Sequence, residues 1–437
     1  MTEHALSPLD QAHAHRLDGN EEAALRLAIA CARAEPDAPG PVALIARILV
    51  DQERELPALQ IADRLVSAFV RRGDLPSAVV ASTVALDAGE PHKPLLANIA
   101  RAFAKNAPKP TTGSIKPPPI PHPLEPATDL SRQSGDDLAA SARAVLDAYV
   151  AATDPVDKDT VLPTLPLFSA LDMRELEQLL LAVRIEEVST GHEIVRQGDS
   201  GNEAFVVARG LLKVVRRQGG DETLLAQLGP GSIFGEMALM SESPRSASVV
   251  AMEPAQLLVL ARDELERAAE DAPELSAELS AFCRGRMHAN LIRTARVLAG
   301  LPVQKRADLL TQLDTRLFEP RQLLIERDQE AESIYLLASG AVSISVPEED
   351  GERLVLATLG PGEVVGEMSM VLRRPASADV TALYPTLAYE ISGTKLSKLM
   401  RQYPALLVEL YDLATRRDEE IRAAAGDDTL SADDILI

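Results

Sequence analysis

The sequence lacks tryptophan, and aromatic residues make up 3% of its 437 residues. Base stacking on aromatic side chains is a main source of affinity for single-stranded nucleic acids, so this scarcity argues against such a ligand. Basic residues are also outnumbered: 44 Lys and Arg against 66 Asp and Glu give a formal net charge of −22 at pH 7. Nucleic-acid phosphates and anionic lipid surfaces repel a chain of this charge. We therefore expect no nucleic-acid partner and no membrane partner.

Cysteines and long apolar runs are scarce as well. The two cysteines, Cys31 and Cys283, lie far apart in the sequence, which favours reduced thiols and a cytoplasmic location. The first residues lack the basic and apolar segments of a signal peptide. The longest apolar stretch, residues 246–260, is interrupted by Glu253, Pro254 and Gln256, so we expect no membrane-spanning helix.

Hydrophobic residues reach 46%, and the length suits about three domains. Residues 1–105 have apolar residues at helical spacing. Two stretches share a turn glycine, small residues and a later proline: Gly19, Ala24, Cys31 and Pro36 in one, and Gly73, Ala78, Ala85 and Pro91 in the other. This pattern resembles the tetratricopeptide repeat. The glycines are 54 residues apart, whereas that repeat has a period near 34, so an ordinary helical bundle stays open.

Residues 106–136 are rich in proline, which predicts an extended, semi-rigid linker, with a ligand for a proline-binding domain as the alternative. We expect a connecting helix over residues 137–164. Residues 424–437 form an acidic tail with apolar residues at its end, which is typical of a disordered segment or a short docking peptide.

An internal repeat dominates the rest of the sequence. The segment LGPGSIFGEM (Leu228–Met237) matches LGPGEVVGEM (Leu359–Met368) at an offset of 131 residues. The same offset relates four positions of a later amphipathic helix: Pro273 and Pro404, Leu275 and Leu406, Leu279 and Leu410, and Phe282 and Leu413. Apolar and polar residues alternate from Val342 to Val346, as in a strand. We predict an α+β multidomain protein: two jelly-roll β-barrels with flanking helices, at 165–292 and 293–423, after an all-α helical-repeat region.

The first repeat contains FGEMALMSESPRSASV, Phe234 to Val249. This stretch resembles the phosphate-binding cassette of cyclic nucleotide-binding domains, the family of the bacterial catabolite activator and the protein kinase A regulatory subunits. The family pattern is Phe-Gly-Glu, an apolar residue, Ala, a variable loop, then Arg-(Ser/Thr/Ala)-Ala. The candidate ligand-binding residues are Phe234, Gly235, Glu236, Met237, Ala238, Arg245, Ser246 and Ala247.

A cyclic phosphodiester is an anion, and a guanidinium fork matches two of its oxygens, which makes Arg245 the candidate cation. Gly235 lets the backbone approach the ligand, and the residues after it can form a short helix with free N–H groups. The resemblance implies that Glu236 accepts a hydrogen bond from the ribose 2′-hydroxyl and that the ligand is cAMP or cGMP. Ser246 offers a further hydroxyl to the phosphate or the purine edge.

The second repeat reads VGEMSMVLRRPASADV, Val365 to Val380. It keeps Gly366, Glu367 and Ser377, but Ala376 stands where Arg245 stands in the first repeat. Losing a charge-assisted hydrogen bond to a buried anion costs roughly 1.5–3 kcal/mol, about one to two decades of affinity. We therefore expect this degenerate cassette not to bind a cyclic nucleotide at physiological concentrations.

His4, His13 and His15 are close in sequence, but no Cys or acidic set completes a metal site, so a solvated helix face is the better interpretation. No catalytic motif is present, which predicts a protein that is not an enzyme. The transcription factors of the resembled family have a helix-turn-helix after the barrel, and its kinase inhibitors have an Arg-rich segment before the barrels. The sequence has neither at those places.

The leading hypothesis is a cytoplasmic signalling adaptor that senses a cyclic mononucleotide. Ligand binding would be coupled to a protein partner that contacts the N-terminal helices. A homo-oligomer is also possible from the sequence. The alternative is a structural scaffold in which both barrels no longer sense a ligand.

Overall fold

The computed structural model describes residues 6–105, 107, 129–152, 167–218, 221–239, 244–347 and 353–424. These residues form two compact units. The first unit comprises Met1–Asp199, Glu203–Glu236 and Ala247–Ser280, and the second comprises Ser200–Asn202, Met237–Ser246 and Ala281–Ile437. The predicted fold class is confirmed: two β-sheet domains with flanking helices follow a helical N-terminal region.

The first unit opens with six helices that have buried apolar faces: α1 (Pro8–Leu17), α2 (Glu21–Ala34), α3 (Pro39–Asp51), α4 (Ala58–Arg71), α5 (Leu75–Asp87) and α6 (Lys93–Phe103). The Ser7 side chain accepts a hydrogen bond from the Asp10 backbone N–H, which starts α1 with a capping box. The predicted turn glycines, Gly19 and Gly73, have φ of +78° and +73° and separate α1 from α2 and α4 from α5. The region is helical as predicted, and its tetratricopeptide character stays a prediction.

A seventh helix, α7 (Gly135–Ala151), packs across α2, α3 and α4. Its Leu138, Ala142 and Leu146 are fully buried, which removes most of its apolar face from solvent. Cation–π contact of the Arg64 guanidinium with the Tyr149 ring, 5.9 Å from its centroid, adds to this packing. The chain's own α7 therefore covers part of the helical region's surface.

The first β-roll follows α8 (Met173–Leu181). Its strands are β1 (Val183–Val188), β2 (Glu193–Val195), β3 (Glu203–Arg209), β4 (Leu212–Gln218), β5 (Asp221–Leu228), β6 (Ile233–Phe234), β7 (Ser248–Ala251) and β8 (Ala255–Ala261). They form two antiparallel sheets with strand orders β1-β8-β3-β6 and β2-β7-β4-β5. Apolar side chains from both sheets, among them Phe205 and Leu257 of one sheet and Leu212 of the other, form the core between them. Helices α9 (Arg262–Asp271) and α10 (Glu274–Thr294) follow.

The second β-roll repeats this topology in the second unit, after α11 (Val303–Leu310). Its strands are β9 (Asp314–Phe318), β10 (Leu323–Ile325), β11 (Ser333–Ser339), β12 (Val342–Pro347), β13 (Arg353–Leu359), β14 (Val364–Val365), β15 (Asp379–Ala382) and β16 (Thr386–Ser392). The sheets have orders β14-β11-β16-β9 and β10-β15-β12-β13. Helix α12 (Glu367–Leu372) lies within the cassette, and α13 (Gly393–Gln402) and α14 (Pro404–Ala424) follow the last strand.

None of the helices in the described ranges combines the length and the hydropathy that crossing a bilayer requires. Most of the predicted linker, the end of the predicted connecting helix beyond residue 152 and nearly all of the acidic tail lie outside the described residues. The domain boundaries drawn from the sequence stay predictions.

Candidate functional site

The first cassette begins at the edge strand β6. The Phe234 ring stacks on the Phe205 ring of β3, with centroids 5.0 Å apart and planes 13° apart, and this fixes the strand that leads into the cassette. Gly235 has φ +73°, a left-handed conformation that favours glycine. Glu236 follows at the start of a short 3-10 helix and is 5% exposed. The cassette thus presents a buried carboxylate after a tight turn.

Arg245 lies close to Gly201, and both belong to the second unit. A Cβ atom placed on Gly201 would come within 2.7 Å of the Arg245 Nε and 2.5 Å of its Nη2. A side chain at position 201 would therefore displace the guanidinium. Gly201 was not predicted as a site residue, because a lone glycine in a loop carries no signal of its own.

The remaining residues of the first cassette differ in exposure. Met237 is half-buried, Ala238 and Ala247 are buried, and Ser246 is exposed. Ala247 immediately precedes β7, so the end of the cassette is anchored to the sheet. The roles proposed for these side chains in ligand binding stay predictions.

The second cassette has the same backbone turn. Gly366 has φ +87°, and a Cβ atom there would lie 2.9 Å from the Ser333 carbonyl oxygen. Glu367 begins α12 and is 2% exposed. Position 366 therefore requires glycine for two reasons, its backbone conformation and the close approach of β11.

Arg417 of α14 contacts the second cassette through hydrogen bonds and ion pairs. Its Nη1 donates to Glu367 Oε1 over 2.7 Å and also to the Val364 carbonyl oxygen, and its Nη2 donates to Glu363 Oε2 over 2.6 Å. Arg417 is 8% exposed, so this is a buried ion pair with its hydrogen bonds made. Burial raises the pKa of Glu367, and the Arg417 guanidinium opposes that rise.

The position of the missing phosphate arginine is closed. Ala376 is buried, its N–H donates to the Gln329 carbonyl over 2.9 Å, and its carbonyl accepts from the Asp328 N–H over 2.8 Å. Arg373 is exposed with φ +52°, and Arg374 pairs with Asp418 of α14. Neither arginine replaces the absent cation in this structure.

A cavity of about 130 Å³ lies beside the second cassette. Its walls are mostly aliphatic side chains from β10, β12, β13, β14 and β15. The polar side chains among its lining residues are Glu367, Ser369, Ser377, Arg417 and Glu420. Ser369 is already engaged, because its hydroxyl donates to the Arg374 carbonyl over 2.7 Å and accepts from the Ala331 N–H over 3.1 Å.

Sequence reasoning missed Arg417 and Asp418, which lie 50 and 44 residues after the cassette residues they contact, Glu367 and Arg374. A signal was present, because the 131-residue offset that relates Glu236 to Glu367 also relates Arg286 to Arg417. When two repeats have the same charged residue at matching helix positions, that residue is a candidate for a contact with the repeat's own cassette.

The interpretation of the N-terminal histidines is wrong for His13. This residue is 6% exposed, and burial together with the Arg209 and Arg16 guanidinium groups holds the pKa of His13 well below its usual range. Neutral imidazole is favoured there because two cations and a desolvated site both oppose protonation. His15 is half-buried, and His4 lies outside the described residues. No group of three or more metal-ligating side chains occurs within the described ranges.

Comparison with known proteins identifies the family of the two β-rolls. The family model described as "Cyclic nucleotide-binding domain" matches residues 185–272 and 315–403, which cover most of each β-roll. The chain therefore carries two tandem cyclic nucleotide-binding domains. They resemble those of the regulatory subunits of cAMP-dependent protein kinase and of the catabolite activator.

Among curated relatives, the cAMP-dependent protein kinase regulatory subunit of Yarrowia lipolytica is 29% identical over 216 residues, 49% of this chain and 54% of the relative. The cGMP-dependent protein kinase 2 of Mus musculus is 26% identical over 231 residues, 53% of this chain and 28% of the relative. The chain spans about half the length, or less, of these relatives. The regulatory domain of Toxoplasma gondii PKA, solved with cAMP, aligns with a TM-score of 0.28 at 22% identity, covering 57% of this chain and 92% of that one.

Proposed function

We propose that this protein is a regulatory protein that responds to a cyclic mononucleotide, cAMP or cGMP, bound in the first domain. The observation that carries the proposal is the presence of Arg245 in register with Gly235, Glu236 and Ala247, against its replacement by Ala376 in the second domain. The arginine is the residue that the ligand's chemistry demands, because a buried phosphodiester needs a cation with two matched donors.

Each ligand group has a proposed partner in the first cassette. The Arg245 guanidinium binds the two exocyclic phosphate oxygens, and the Glu236 carboxylate accepts the hydrogen bond of the ribose 2′-hydroxyl. Support for Glu236 comes from its low exposure, since a carboxylate shielded from water makes stronger hydrogen bonds to a ligand. Ser246, which is exposed in this structure, is left to contact the purine or the phosphate.

The proposed role is regulatory rather than catalytic. Two curated relatives are named as a kinase regulatory subunit and as a cGMP-dependent kinase, which supports a signalling role and leaves the partner of this protein open. We propose that ligand binding shifts the equilibrium of the helices that follow the roll, α9 and α10, and that this shift reaches a protein partner.

A partner surface on the N-terminal helices is part of this proposal. Helix α7 packs over α2, α3 and α4, so a partner would meet either α7 itself or the helix faces that α7 leaves exposed. In the second domain Ala376 removes the phosphate cation, so we propose cyclic nucleotide binding for the first domain alone.

Thermal unfolding with cAMP and with cGMP tests the proposal. A ligand that binds the folded state at 100 times its Kd stabilises it by about 2.7 kcal/mol, so the wild type is expected to unfold at a higher temperature with one of the two ligands. Arg245→Ala is expected to weaken binding by one to two decades and to reduce that rise at the same ligand concentration.

The matched control is Arg373→Ala, which removes an exposed arginine of the second cassette and should leave the ligand-dependent rise unchanged. No rise in the wild type with either nucleotide, or an equal rise in Arg245→Ala, contradicts the proposal and favours the scaffold.

A further inference from the structure

Helix α14 carries apolar side chains on two faces. Leu406 and Leu410 are buried in the core of the second unit, whereas Leu407, Val408 and Tyr411 are 43%, 58% and 53% exposed. Leu407 and Tyr411 are four residues apart, and Val408 lies three residues before Tyr411, so the exposed side chains share one face of the helix. We call these three residues the apolar stripe. Large apolar side chains clustered on a surface are typical of a contact site.

The first repeat has no such stripe. The 131-residue offset places Ser276, Ala277 and Ser280 of α10 at the positions of the three stripe residues. The buried positions beside them are leucines in both helices. Because packing against a β-roll is common to both repeats, it does not account for large apolar residues on the outer face of α14 alone.

Basic side chains lie close to the stripe in the chain. Helix α13 contains Lys395, Lys398 and Arg401 and no acidic residue, and the last two are exposed. It ends at Gln402, two residues before α14 begins, and the two helices are in contact. These cations therefore lie at the end of α14 that carries the stripe.

Most acidic side chains of α14 lie next to arginines. They are Glu409 and Asp412, which line a cavity with Arg296 and Arg416, Asp418, which pairs with Arg374, and Glu420, which pairs with Arg416. Glu419 is exposed, but it follows Tyr411 by eight residues, about 12 Å along the helix. A negatively charged segment that approaches the stripe from the side of α13 therefore meets basic side chains.

The acidic tail that follows α14 has the matching chemistry. It lies outside the described residues, and its sequence places Asp433 and Asp434 directly before three apolar residues, Ile435 to Ile437. Aliphatic side chains suit the stripe, and carboxylates suit the cations of α13. Gly426, just after the helix, permits a reversal of the chain, because glycine adopts the left-handed conformation that ends many helices.

The tail is long enough to reach the stripe. Leu407 and Tyr411 precede the end of α14 at Ala424 by 17 and 13 residues, which is about 26 and 20 Å along the helix at 1.5 Å per residue. Ile435 is eleven residues beyond Ala424, so an extended chain can place it up to about 36 Å away. The apolar end of the tail can therefore turn back over the stripe with length to spare.

From these observations we propose that residues 425–437 bind to the apolar stripe of the same chain. Ile435, Leu436 and Ile437 cover the stripe, and Asp433 and Asp434 lie near the cations of α13. Tethering favours this occupant over a second chain, because a short flexible link gives an effective concentration in the millimolar range. Three side chains are also far less than the roughly 1,200 Å² that a stable interface between chains buries.

A single tryptophan tests this inference, because the chain has none of its own. Tyr411→Trp places the reporter within the stripe of the full-length chain. With the natural tail, we expect blue-shifted emission and weak quenching by acrylamide. With Ile435→Ser, Leu436→Ser and Ile437→Ser added, the emission should shift to the red and the quenching constant should rise about twofold, because a large aromatic ring loses its cover.

The matched control is Val303→Trp on α11, where an apolar side chain of the same unit is 63% exposed. Its quenching should be strong and should not change with the tail substitutions. Equal quenching of Tyr411→Trp with either tail overturns the inference, and so does an equal change at Val303→Trp. Protection that disappears on dilution would assign the stripe to a second copy of the chain and would also overturn it.

The charged part of the contact has its own test. Asp433→Asn with Asp434→Asn should raise the quenching of Tyr411→Trp, though less than the three serine substitutions do, and high salt should have the same effect on the natural tail. Unchanged quenching in the asparagine variant would show that the carboxylates do not contribute and would overturn that part of the proposal. Neither outcome depends on cyclic nucleotide binding in the first domain.

Discussion

Two arginines define the two cassettes, and they come from different places in the chain. Arg245 lies within its own cassette and is the residue that we propose binds the phosphate of a cyclic nucleotide. Arg417 comes from α14 and contacts Glu367, the carboxylate at the equivalent position to Glu236. In the second domain the protein's own arginine therefore takes an interaction of the cassette carboxylate that a ligand could otherwise use.

Removing Arg417 should destabilise the protein. In Arg417→Ala the Glu367 carboxylate stays buried without its charged partner, and breaking a buried pair in this way costs about 3–5 kcal/mol. Urea unfolding measures the loss in the free energy of unfolding. Arg416→Ala, an exposed neighbour on the same helix, is the control and should change stability by no more than about 0.5 kcal/mol. A loss below about 1 kcal/mol in Arg417→Ala would show that water reaches Glu367.

At the scale of elements, α1 is joined to the first β-roll by ion pairs within the first unit. Asp10 pairs with Arg209 of β3, and Arg16 pairs with Glu187 of β1 over 2.6 Å. His13, on the same helix, is buried, and its burial together with the Arg209 and Arg16 guanidinium groups lowers its pKa. Since charged groups that lose their partners inside a protein are costly, this arrangement attaches the helical region to the sheet that leads to the cassette.

His13 makes the first unit sensitive to acid. Its pKa is low in the folded state and near 6.5 in the unfolded state, so below pH 6.5 the unfolded chain binds a proton that the folded chain does not. Stability is therefore lost as pH falls from 6.5. Between pH 7.5 and 5.5, the free energy of unfolding of His13→Gln, measured with urea, should fall by about 1 kcal/mol less than that of the wild type. His15→Gln, on the same helix, is the control, and an equal loss in His13→Gln and the wild type contradicts the assignment.

For strand β12, the sequence pattern predicted the strand itself but not the burial of its polar residues. The alternation from Val342 to Val346 predicted a strand, and the structure confirms it as Val342–Pro347. The pattern also suggested one polar face, yet Ser343 and Ser345 are buried, at 8% and 3% exposure. Ser345 accepts a hydrogen bond from Arg353 Nε over 3.3 Å, so a side chain of the neighbouring strand β13 covers part of the face that alternation would assign to solvent.

At the scale of the whole molecule, two copies of one topology carry different sites. The strand orders of the two β-rolls correspond, and so do the turns at Gly235 and Gly366. The two cassettes differ at several positions, and one of them is Arg245 in the first against Ala376 in the second. A repeat can therefore keep its fold while its ligand chemistry changes, because the sheets depend on apolar cores and not on the pocket residues.

This difference predicts the stoichiometry of cyclic nucleotide binding. Equilibrium dialysis with cAMP or cGMP should give one bound molecule per chain, because Ala376 cannot supply the cation of a second site. Arg245→Ala should bind less than one per chain at the same concentration. Two molecules per chain with comparable affinity would contradict both the assignment of the second cassette and the closure of its phosphate position.

The sequence by itself determined the features that repeat locally along the chain. The 131-residue offset, the two Gly-Glu turns and the contrast between Arg245 and Ala376 all follow from residue order, since neighbouring residues fix a turn and its side chains. The tertiary structure alone decided that Arg417 and Asp418 reach the second cassette, that Gly201 lies against Arg245 and that His13 is buried. These contacts join residues distant in sequence, and only packing of helices and strands decides which of many charged side chains meet.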